Sequence, residues 1–78
     1  MKSDAAIERE TARKWAERAI IAHRHYVETK DPKWLMRFSD YRHESLEHAA
    51  TVGDRGRFVA KMQDKIDKAA KAMKRKMR

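Results

Sequence analysis

RFVAKMQDKIDKAAKAMKRKMR, residues 57–78, decides the fold. Phe58, Met62, Ile66, Ala69, Ala70, Met73 and Met77 recur at three- and four-residue steps, which is the period of one face of a helix. The segment also holds nine Lys or Arg against only Asp64 and Asp67, so a net +7 of the chain's +8 sits here. A helix that is apolar on one side and cationic on the other requires further elements to cover its apolar side. Asp64 with Lys68, and Asp67 with Lys71, are acid-before-base pairs at four-residue spacing, each stabilising a helix by about 0.2–0.5 kcal/mol.

Upstream, the chain's only glycines and its single proline stand where helix boundaries belong. Gly53 suits a helix C-terminus, because the left-handed backbone carries no side-chain penalty there, and Asp54 can open the basic helix with Gly56 as a weak point in its first turn. Asp31-Pro32 is a helix start: Asp caps the unpaired amides, and Pro fits the first turn, where an N–H is not needed. Between these signals Trp34, Phe38, Tyr41, Ser45, Ala49 and Val52 share one side, broadened by Leu35 and Leu46. In the first third, Ala5, Ala12, Ala19 and Tyr26 recur every seven residues, with Trp15, Ala16, Ala22 and His23 on or beside the stripe. So many alanines invite close approach by another helix. No alternating strand pattern is present. The expected fold is all-α, either a small three-helix bundle or a helical hairpin plus a long basic C-terminal helix, as a single helical domain over 1–78 with helices at about 4–29, 32–51 and 55–77.

At 78 residues the chain has room for one modest core, which rarely supplies more than about 3–5 kcal/mol. With no cysteine, disulfides are excluded, leaving well-packed helices and the option of a homodimer. The longest apolar run, Ala19-Ile20-Ile21-Ala22, is far short of the roughly 20 residues a membrane span needs. Asp4, Glu8 and Glu10 occupy the N-terminal stretch and no apolar core of a secretory signal follows, so a cytoplasmic location is expected, with no membrane partner.

The concentrated charge implies a polyanion or an acidic protein surface as partner. Lys61, Lys68 and Arg75 repeat at seven-residue spacing on the outer face, Arg57 and Lys71 lie close to that row, and Lys74, Arg75, Lys76 and Arg78 crowd the end. Such a row suits a phosphate backbone; phosphate contacts position a protein without reading sequence, so the expected binding is sequence-nonspecific. The competing account is a solvated helix face whose terminal cations offset the helix dipole. The basic side and the methionines Met62, Met73 and Met77 also resemble a membrane-surface or calmodulin-target helix, although packing in the core is the simpler use of that apolar side.

Aromatic and basic residues alternate from Lys33 to Arg42, but Trp34, Phe38 and Tyr41 fall on the apolar side, where packing rather than base stacking is expected. Arg42 and Glu8 each interrupt an apolar face, and a pairing between them across the helix interface is the expected resolution. Of the histidines, His43 with Glu47 and Glu44 with His48 have metal-ligand spacing on a helix, yet Glu47 stands where a zinc-protease motif needs its second His, and His23 would have to converge as a further ligand. No metal or cofactor is expected. With no cysteine, no Gly-x-Ser-x-Gly and no glycine-rich phosphate loop, the chain does not read as an enzyme. The short glycine-containing turn between two compact helices that marks a helix-turn-helix reader is not evident. The expected function is therefore a small nucleic-acid-binding or accessory protein. The alternative is an interaction protein of a phage or mobile element, an anti-CRISPR-like inhibitor that modulates a larger nucleic-acid-handling complex.

Overall fold

The computed structural model describes residues 4–76, with side-chain surroundings for residues 4–75. Among these residues there are three helices and no strands: α1 (Asp4–Thr29), α2 (Pro32–Ala50) and α3 (Arg57–Lys76). Every pair of helices is in contact, and α1 packs most extensively on α2. The result is an elongated three-helix bundle of 44 × 19 × 17 Å.

Local chemistry sets the boundaries. At the end of α1 the Thr29 hydroxyl donates to the His25 carbonyl at 2.8 Å, and Lys30 turns left-handed (φ 60°). Asp31 then caps α2, its carboxylate accepting from the Lys33 amide at 3.0 Å with Pro32 in the first turn. After α2, Gly53 adopts φ 77°. The entry to α3 differs from the expected start near residue 55: Arg55 (φ 63°) and Gly56 (φ 82°) are both left-handed, a conformation that cannot propagate a right-handed helix, so α3 begins at Arg57. Gly56 is thus a residue of the turn and not a weak point inside the helix. Asp54 still serves as the opening group, accepting from the Phe58 amide at 3.0 Å.

The core is built from small residues on α1 and large ones on α3. Ala12, Ala16 and Ala19 are fully buried against Ala49 of α2 and Phe58, Met62 and Ile66 of α3, and Phe38, Tyr41, Leu46, Val52 and Val59 pack around them. Without side chains beyond Cβ, the α1 stripe lets the neighbouring helices approach closely. Ser45 exploits that proximity: fully buried, it donates from Oγ to the main-chain carbonyl of Ala12 at 2.7 Å. His23 is buried where the three helices meet, edge-on to Phe38 and with Nδ1 3.3 Å from the sulfur of Met73.

Candidate functional site

The three-helix packing turns the apolar side of α3 inward and so fixes where its cations go. Phe58, Met62 and Ile66 are buried, while Arg57, Lys61, Lys68, Lys71, Lys74 and Arg75 are all exposed. Lys61, Lys68 and Arg75 lie two turns apart along the solvent side, with Arg57 one turn before Lys61. At 1.5 Å per residue, the row from Lys61 to Arg75 is about 21 Å long. Lys71 and Lys74 sit toward α2, where they border a groove shared with Leu35 and Phe38. Lys76 is the last described residue of α3, and its side chain, together with Met77 and Arg78, lies outside the described residues.

Lys65 was not among the expected contacts. It is exposed on the flank of α3 toward α1, one turn before Ala69, which borders a groove with Ile20 and Val27 of α1. Its only sequence signal is its charge, because it belongs neither to the seven-residue row nor to the terminal cluster.

The carboxylates of α3 are distributed unequally. Asp64 holds Lys68 at 3.1 Å, the expected pair. Asp67 does not hold Lys71. It accepts instead from Arg42 of α2, with Nε to Oδ1 at 3.1 Å and Nη2 to Oδ2 at 3.3 Å. A planar guanidinium delivers two parallel hydrogen bonds to a carboxylate, which an ammonium cannot match. Among the described residues, Lys61, Lys65, Lys71, Lys74, Arg57 and Arg75 have no carboxylate within ion-pair distance.

The same geometry corrects the expected Glu8–Arg42 pair. Arg42 turns to α3, and Glu8 meets His48 across the α1–α2 interface, with Oε2 2.8 Å from Nδ1. Hydrogen bonds from His48 and Thr51 hold the Glu8 carboxyl below its ordinary range. The remaining histidines are likewise engaged: His43 pairs with Glu47 at 2.8 Å, and His25 stacks on Trp34 with ring centroids 4.5 Å apart. His23, the residue that would have had to join a metal site on α2, faces Met73 and Phe38 instead. No group of three or more metal-binding side chains gathers among the described residues.

The aromatic segment of α2 divides. Phe38 and Tyr41 pack on the core, as expected for their side of the helix, and Tyr41 also meets Trp15 at 5.6 Å. Trp34 is only half-buried and stands apart from the core cluster, between His25 and the Arg37 guanidinium, which lies 4.7 Å from its ring centre. Arg18 covers Trp15 and Arg13 covers Phe58 in the same manner, at 4.9 and 5.3 Å. Several cations outside α3 are therefore occupied with rings, which leaves α3 as the face with the most unengaged positive charge. No helix among the described residues is long and apolar enough to cross a membrane. Comparison with protein-family models, curated proteins and solved structures finds no match to this chain.

Proposed function

We propose that the protein binds nucleic acid through the outer side of α3, which lies against the phosphate backbone without reading base sequence. The observation that carries this reading is the cationic row itself: Lys61, Lys68 and Arg75 are exposed on one line, and most cations of α3 have no carboxylate partner among the described residues. A row about 21 Å long matches the axial length of about six phosphates of one strand, at 3.4 Å each. Cations serving only to offset the helix dipole belong in the last turn. Here Arg57 and Lys61 stand in the first turns of α3, where positive charge opposes the dipole, so helix stabilisation does not account for them.

The test is a binding assay on duplex DNA, single-stranded DNA and RNA with the full chain and with Lys61→Glu/Arg75→Glu. The expected result is binding to bare nucleic acid that the double variant loses while its helical content is retained. Failure to bind any nucleic acid at moderate salt, with capture of one defined host protein instead, overturns this reading in favour of an inhibitor or modulator acting on a larger complex.

A further inference from the structure

Between α2 and α3 lies a cavity of about 310 Å³ whose two halves differ in chemistry. Leu35, Phe38 and Ala70 make its lining apolar, joined by the imidazole of His23, while Lys71 and Lys74 stand at its rim. Asp67 also borders it, but its two oxygens are committed to Arg42, so the carboxylate neither neutralises the lysines nor repels an incoming anion at full strength. Leu35 remains 41 % exposed here, a large side chain with an uncovered apolar surface. An apolar floor beneath two cations suits a ligand in which a flat, weakly polar group is joined to an anion. The volume falls at the lower end of the range for small-ligand pockets, about 300–1,000 Å³.

His23 adds a polar group to the lining: it is buried, with Nδ1 3.3 Å from the Met73 sulfur. Burial and the nearby Lys74 ammonium favour its neutral form. Unpaired bases are recognised in part by stacking on aromatic side chains, and Phe38 lines the cavity. The position of the cavity supplies the remaining argument. Lys71 is one turn after Lys68 and one turn before Arg75, so a strand following the cationic row passes the cavity mouth.

We infer that this groove takes one unpaired nucleobase of a single-stranded nucleic acid, with the flanking phosphates on Lys71 and Lys74. The inference rests on the phosphate-binding reading of α3 and sharpens it from nucleic acid in general to single strands. A duplex cannot use the groove without extruding a base, at a cost of about a few kcal/mol.

Fluorescence anisotropy on three labelled probes tests it: a single strand of about ten nucleotides, an abasic strand with the same number of phosphates, and a duplex of equal length. The base-bearing strand is expected to bind about tenfold tighter than the abasic one, the scale of a single well-seated base. Ala70→Leu, which fills the cavity, is expected to abolish that difference, and Leu35→Ala, at an exposed position, to reduce it; circular dichroism verifies that each variant is folded. Lys71→Ala/Lys74→Ala weakens both single strands. Equal affinity for the base-bearing and abasic strands overturns this inference and leaves the phosphate reading standing. Absence of binding to all three probes overturns both.

Discussion

Asp67 gives both carboxylate oxygens to Arg42 of the neighbouring helix, at 3.1 and 3.3 Å, and none to Lys71 one turn further along its own helix. The bidentate bridge has two effects. It ties α2 to α3, and it removes from the cationic face the one carboxylate spaced to neutralise Lys71.

Arg42→Gln separates these effects. Asp67 is half-exposed and Arg42 partly so, which screens the bridge; it contributes about 1 kcal/mol and the urea midpoint is expected to move little. Asp67 is then free to turn toward Lys71, and the slope of log affinity against log salt is expected to decrease by about one phosphate contact. Asp67→Asn acts in the opposite sense on affinity, since it removes a negative charge beside Lys71 and Lys74. Parallel salt titrations of the two variants measure this directly.

The close α1–α2 contact makes Ser45 sensitive to size. Ser45→Ala loses the 2.7 Å bond to the Ala12 carbonyl, an acceptor that retains its helical role, and is expected to cost about 1 kcal/mol. Ser45→Leu forces bulk against the Ala12 backbone that Ser45 now touches, and is expected to cost about 1–3 kcal/mol. Urea denaturation distinguishes them: if the two substitutions are equally tolerated, close helix approach is not what shapes this interface.

Ile66 is fully buried in the core cluster. Ile66→Ala is expected to cost about 2–5 kcal/mol, comparable with the whole stability of a domain this small, and so to leave the chain largely unfolded at room temperature. The helical circular dichroism signal at 25 °C gives the answer.

Buried His23 makes stability depend on pH. Desolvation, then the Lys74 charge, lower its pKa below 6.5. The groups facing it are Lys71, Lys74 and the Arg42-bound Asp67 at the α2–α3 groove, with Tyr26 on its own helix. A lowered histidine pKa means that the unfolded chain binds the proton more readily, so the contribution is fully present above about pH 6.5 and is lost as pH falls through the folded value. Melting temperature is therefore expected to fall between about pH 7 and 5, and the fall to become shallower in His23→Phe. Glu8, whose pKa is lowered by His48 and Thr51, contributes a separate loss at lower pH, below its ordinary value of 4.5.

Most of the fold is legible in the residues that stop helices. Asp31-Pro32 and Gly53-Asp54 mark boundaries because their preferences are local, and the inward side of α3 follows from periodicity alone. The start of α3 was less visible, since nothing in the identity of Arg55 announces a left-handed backbone. Partner choice among charges was read only in part. Asp64–Lys68 is a contact within one helix and forms as its spacing implies. Arg42 and Glu8 both interrupt apolar faces, but whether they meet depends on how α1, α2 and α3 rotate about their axes, and those rotations direct Arg42 to Asp67 and Glu8 to His48. The cavity beneath Lys71 and Lys74 was likewise beyond sequence reading, because it is formed by residues of three helices.

The central claim, that exposed cations along α3 engage phosphates, is tested most directly by the salt dependence of single-strand affinity. Contact with about six phosphates of a single strand predicts a loss of about 3 × 10² in affinity between about 50 and 200 mM salt, and a shallower slope for Lys61→Glu/Arg75→Glu. Affinity that stays flat across that range, or a slope indifferent to those substitutions, would contradict the account.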